Sequence, residues 1–136
     1  MERLLIKPQT VSVRYIVSNV EACVEFYVEF HGFELVLNPP GGFAMLSKGN
    51  VRLLLNEAGA GGGGQAMPDG TVPEPGGWNR LQLQTNDIGS TIEYLKTMKA
   101  RFRNDLVIGN GGKQILLMDP SGNLIELVEP NQDRRS

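Results

Sequence analysis

Residues 119–130 read DPSGNLIELVEP, and Glu126 stands between Leu124–Ile125 and Leu127–Val128. A carboxylate here can take a proton, hold a metal, or accept donors from a cation or a ligand. Strand side chains alternate between faces, so Leu124, Glu126 and Val128 share one face and Ile125 and Leu127 the other. An ionised carboxylate on a buried face is costly unless something answers it. The plain alternative is an edge strand on which Glu126 is solvated.

The other reactive side chains are few. There is one cysteine, Cys23, and one histidine, His31. One cysteine cannot form a disulfide within the chain, and one chain with a single Cys and a single His cannot supply a Cys/His zinc site. Cys23 falls on the apolar stripe of an expected helix, where a small buried thiol is the ordinary case rather than a nucleophile. His31 follows that helix in EFHGFELV and reads as a surface or capping residue.

The elements that must position Glu126 are written twice. SVRYIVS (12–18) reads as a strand. Asn19 caps a helix whose stripe is Val20, Cys23, Val24, Tyr27 and Phe30, and Gly32 ends it. FELVL reads as a strand, PPGG (39–42) as a turn, and FAMLSKGNVRLLLNEA as a hairpin closing at Lys48-Gly49-Asn50. NRLQLQT (79–85) begins the second copy. Asp87 caps a helix with the stripe Ile88, Ile92, Leu95 and Met98. FRNDLVI holds a short strand, GNGG (109–112) a turn, and KQILLMDPSGNLIELVEP a hairpin on an Asp-Pro-Ser-Gly turn. Asn19 matches Asp87 at an offset of 68, and Gly49-Asn50 matches Gly122-Asn123 at 73.

The fold class is α+β, with two tandem β-α-β-β-β modules forming a curved mixed sheet around a cavity. The expected modules are 1–56 and 79–130, with a Gly/Pro-rich segment at 57–78 and a polar tail at 131–136. The 57–78 segment cannot be a helix or a central strand. A linker is preferred to a flap over a site.

Parity within the strands gives a lining. Leu81 and Leu83 meet the helix, so Arg80, Gln82 and Gln84 point the other way. Ser12, Arg14 and Ile16 share the corresponding face of 12–17. Leu53 is the first-copy counterpart of Glu126 by the offset of 73. The expected lining is Ser12, Arg14, Leu53, Arg80, Gln82 and Glu126, with Trp78 at the rim. Arg14 and Arg80 are the two candidate cations for Glu126, and a guanidinium fork suits a carboxylate, a phosphate or a polarised carbonyl.

The chain has 136 residues, 40% of them apolar, and a net charge of −2. That balance argues against nucleic acid, which demands a basic patch. No stretch approaches the length of a membrane span, and MERLLIKPQT lacks the apolar run of a secretory signal. The expectation is a cytoplasmic protein.

The paired modules, the stretch VSNVEACVEFYVEFHGFELV and the ending DPSGNLIELVEP resemble the vicinal oxygen chelate superfamily. This group includes glyoxalase I, extradiol dioxygenases, and fosfomycin- and bleomycin-resistance proteins. The resemblance covers roughly residues 11–130. It implies a divalent metal held by ligands from the first and last strands of the modules. Those positions fall on Ser12, Leu53, Arg80 and Glu126, of which Glu126 is the only plausible metal ligand. The resemblance therefore implies the fold, while the residues disfavour a metal cofactor.

Three functions follow. The first is metal-free binding of a small aromatic or anionic molecule, as in the bleomycin-resistance branch. Ser12, Arg14, Arg80, Gln82 and Glu126 would make polar contacts, and Trp78, Tyr15 or Phe43 would stack. The second is an enzyme of lyase or dioxygenase type, metal-dependent or with Glu126 as catalytic base. The third is an interaction module whose cavity is filled core. The resemblance also implies a homodimer.

Overall fold

The structure, a computed structural model, describes residues 11–131. The chain divides into two compact units, Met1–Pro75 and Gly76–Ser136. The expected tail at 131–136 lies outside the described residues beyond its first position.

The first unit runs β1 (Val11–Val17), α1 (Val20–His31), β2 (Glu34–Leu37), β3 (Phe43–Lys48) and β4 (Val51–Glu57). Its sheet has the order β1-β4-β3-β2, with β1 parallel to β4 and the other pairs antiparallel. The hairpin β3–β4 closes over Gly49-Asn50, as the Lys48↔Val51 pairing requires. Asn19 Oδ1 accepts the Ala22 amide at 2.9 Å to start α1. Gly32 ends it at φ 73°, a left-handed geometry that suits glycine. Beyond β4 lies one 3-10 turn, Gly62–Gly64.

The second unit repeats the plan. It runs β5 (Leu81–Gln84), α2 (Ile88–Thr97), β6 (Arg101–Phe102), β7 (Val107–Gly109), β8 (Gly112–Met118) and β9 (Leu124–Pro130). The order is β5-β9-β8-β6, and β7 also pairs with β8. The short strand expected in FRNDLVI is thus two strands. Asn104 interrupts them, its Oδ1 accepting the Leu116 amide at 3.0 Å.

The fold is α+β with two β-α-β-β-β modules, as the sequence pattern and the resemblance both imply. Each core is the apolar face of one sheet. In the first unit Tyr15, Val17, Leu46, Leu53 and Leu55 are buried, as are Cys23 and Tyr27 of α1. In the second, Ile115, Leu117, Ile125 and Leu127 are buried along with Ile88, Ile92 and Leu95 of α2.

One device recurs at the same place in both units. Glu57, at the end of β4, accepts the Val20 amide at 2.9 Å. Glu129, near the end of β9, accepts the Ile88 amide at 2.8 Å. Each carboxylate meets the first free N–H of its module's helix, where the backbone dipoles favour negative charge. The pair fixes the true offset of the last strand at 72, since Glu57 answers Glu129. Glu126 therefore corresponds to Leu54, not to Leu53. The register agrees: Arg14 lies beside Leu54 as Gln82 lies beside Glu126. Leu53 pairs with Val13 and is fully buried on the opposite face, so it leaves the expected lining.

Two further expectations are corrected. Tyr15 sits on the core face, its ring 6.5 Å from that of Tyr27, and is not placed to stack on a ligand. His31 is neither surface nor a plain cap. It is the last residue of α1, 8% exposed, packed edge-on to Phe26 at 4.9 Å. Among the described residues no helix is long and apolar enough to cross a membrane.

Candidate functional site

Glu126 occupies the middle of β9, with Gln82 of β5 and Leu116 of β8 as its register neighbours. It is 7% exposed. Arg80 Nε donates to Oε1 at 3.1 Å, and Gln82 Nε2 donates to Oε2 at 2.9 Å. Both carboxylate oxygens are therefore engaged, one by a charged donor. The Arg80 side chain keeps 31% of its exposure against 10% for Glu126, so the pair is buried at its acid end and wet at its basic end. The carboxylate among apolar neighbours is answered by Arg80.

Arg80 is held from a second side, since its Nη1 donates to the Trp78 carbonyl at 3.2 Å. Gly76 and Gly77, at φ 108° and 95°, turn the chain into Trp78, a backbone course that needs glycine. The Gly76 amide is tied to Asn123 Oδ1 at 2.8 Å. Asn123 follows the Asp119-Pro120-Ser121-Gly122 turn. There Asp119 Oδ1 accepts the amides of Ser121 and Asn123 at 2.8 and 2.9 Å, and Gly122 N–H closes onto the Asp119 carbonyl at 2.9 Å. Asp119 is fully buried. The most recognisable part of the chain thus holds the strand end and the entry to β5 in place.

Trp78 is 62% exposed. The Arg103 guanidinium carbon lies 4.4 Å from the centre of its ring. Nothing in the spacing marks this pair, because Arg103 follows β6 in a stretch read only as a short strand. Arg103 N–H donates to the Leu116 carbonyl at 2.8 Å, which sets its backbone beside the row containing Glu126.

Ser12 and Arg14 lie on the corresponding face of the first unit, and both are exposed. Arg14 Nε donates to Asn56 Oδ1 at 2.9 Å, and Asn56 is buried. A side chain at Gly63 would collide with that guanidinium, so the 3-10 turn packs against Arg14. The first unit has Leu54 where the second has its acid.

This donor set does not suit a divalent metal. Arginine offers no lone pair, a cation beside Glu126 repels another, and both Glu126 oxygens already accept hydrogen bonds. Among the described residues no three His, Cys, Asp or Glu side chains gather as a metal site. What the arrangement can do is present oriented donors, the guanidinium edges and the carboxamide of Gln82, beside an indole face.

Comparison with known proteins gives the family and the fold. A family model described as Glyoxalase/Bleomycin resistance protein/Dioxygenase superfamily matches residues 9–127. No curated protein matches the chain. Among solved structures, a member of the same superfamily from Sphaerobacter thermophilus DSM 20745 has 28% identity and a TM-score of 0.71, over 93% of this chain and 99% of that one. TnmS3, an antibiotic binding protein from Streptomyces sp. CB03234, has 23% identity and a TM-score of 0.69, over 95% and 100%. A lactoylglutathione lyase from Agrobacterium tumefaciens has 20% identity and a TM-score of 0.67, over 90% and 96%. The last two likenesses concern the fold alone.

Proposed function

The chain belongs to the Glyoxalase/Bleomycin resistance protein/Dioxygenase superfamily, and from that premise we propose that it binds a small aromatic or anionic molecule without a metal. The observation that carries this reading is the engagement of Glu126 by Arg80 and Gln82. A position from which a carboxylate can hold a metal is here closed by a guanidinium and a carboxamide. The same donors, with Trp78 beside them, form a polar surface suited to recognition. The fold shared with an antibiotic binding protein is compatible with that role.

Catalysis by Glu126 as general base is the weaker reading. Each of its oxygens already accepts a hydrogen bond, from Arg80 or Gln82, whereas a general base must place an oxygen against the proton it takes. The expected protein is a cytoplasmic homodimer that needs no cofactor.

A thermal-shift screen tests the reading, because a ligand of the native state raises the melting temperature. Aromatic antibiotics, α-keto acids, glutathione conjugates and catechols are the panel, each with and without EDTA. At least one class is expected to stabilise the protein equally in both conditions, and Arg80→Met to abolish the shift. Stabilisation that disappears with EDTA would overturn the metal-free reading. So would one divalent metal per chain in protein purified without added metal. Turnover lost specifically in Glu126→Gln would favour the enzyme.

A further inference from the structure

We infer that Arg103, seated over the Trp78 ring, is the residue that selects an anionic group on the ligand, so that the preferred ligand is a planar carboxylate. The inference rests on the binding role proposed above and names its chemical class.

The argument begins with charge. On the face of the second sheet that carries Glu126, the register places Arg80, Gln82, Leu116 and Met118, with Arg101 and Arg103 at the β6 side. Three guanidinium groups thus share a face with one carboxylate, on a chain whose net charge is −2. Arg80 is matched by Glu126. Arg101 Nη2 donates to the Asp119 carbonyl at 3.1 Å. The Arg103 guanidinium has a different environment: its contact is the Trp78 ring, and among the described residues no carboxylate pairs with it.

Geometry adds the selectivity. A guanidinium attracted over an indole ring keeps an N–H edge for another partner. That edge binds a carboxylate through two parallel hydrogen bonds. An arginine on a mobile stem loses rotamer freedom when it binds. One that already rests over an indole loses less. Trp78 is therefore a positioning residue, and the Gly76-Gly77 turn together with the Gly76–Asn123 hydrogen bond sets its place. A planar carboxylate salt-bridged to Arg103 can lie along the half-buried side chains of Leu116 and Met118.

The test uses the full chain and two probes of nearly equal shape, 2-naphthoate and neutral 2-naphthamide. Trp78 is the only tryptophan, so its indole N–H gives a single ¹⁵N–¹H signal that reports the site directly. Naphthoate should shift that signal and bind more tightly than naphthamide in calorimetry. Arg103→Met should weaken naphthoate by about tenfold or more while leaving naphthamide within about twofold. Trp78→Leu should weaken naphthoate with Arg103 intact, and Trp78→Phe should restore most of the loss. Arg103→Lys, which keeps the charge without the fork, should fall between wild type and Arg103→Met and guards against a folding defect. Equal affinity for the two probes, naphthoate binding indifferent to Arg103→Met, or no naphthoate binding at millimolar concentration would each overturn the inference. The proposed function would survive any of these outcomes if a panel ligand still lost its stabilisation in Arg80→Met.

Discussion

Glu126 shows what a single residue announces and what it conceals. Its need for a cation is legible, because an acid flanked by Leu124, Ile125, Leu127 and Val128 has few other solutions. Arg80 is legible as one of two candidate partners, with Arg14, since strand parity gives each the matching face of its own module. The Arg103–Trp78 stack is not, because it depends on where a loop returns to the sheet. The pair makes a prediction. Arg80→Met leaves a nearly buried carboxylate with one donor and should cost about 1–3 kcal/mol in chemical denaturation. Replacing both partners, as Arg80→Met with Glu126→Leu, should recover most of that loss. His31 was misread because a histidine near a helix end is usually wet, whereas here Phe26, Tyr27 and Phe30 enclose it. Burial, aided by the charge of Lys48, lowers its pKa from 6.5 to about 4, and among the described residues its Nε2 has no hydrogen-bond partner. Between those values the unfolded chain takes a proton that the folded chain refuses. Stability should therefore fall as pH drops from about 6.5 to about 4 and then level off, by on the order of 3 kcal/mol in all. His31→Phe should flatten that part of the pH profile, measured by urea midpoints across the range.

At the scale of elements, helix stripes and strand alternation were readable because each element has one face in a core. Asn19 and Asp87 were readable as caps, since a short polar side chain before an apolar stripe has a specific backbone amide to satisfy. The carboxylates that reach those helices from the strand ends were not. Glu57 and Glu129 are distant in sequence from the amides they meet, and glutamate at a strand end looks like solvated charge. The turns alone suggest an offset of 73 and hence Leu53, since the hairpin turns differ in length between the copies and the strand ends do not. Glu129→Gln keeps an acceptor but loses the charge at the helix start. It should cost about 0.5–1 kcal/mol, and Glu129→Ala about 1–2 kcal/mol. Denaturation midpoints should show both losses, with α2 amides exchanging faster in the alanine variant.

At the scale of the molecule, duplication made the fold legible. Two copies of one order constrain each other, so an error in one strand is exposed by its counterpart. Sequence periodicity does not say which surfaces stay uncovered. In β2, which is an edge of the first sheet, Leu35, Val36 and Leu37 are 47%, 51% and 49% exposed. An edge strand with free backbone donors and three apolar side chains in a row invites a further strand unless charge or proline blocks it. Pro39 and Pro40 follow the strand but do not interrupt it. The proposed homodimer has a use for such an edge, because a second copy can satisfy both its backbone groups and its apolar side chains. Light scattering is expected to give about twice the 14.9 kDa mass of the chain. Val36→Lys places a charge at the centre of the edge and should shift the protein toward the monomer, with the helical signal unchanged. A Val36→Lys protein that remains a dimer would show that another surface holds the copies together.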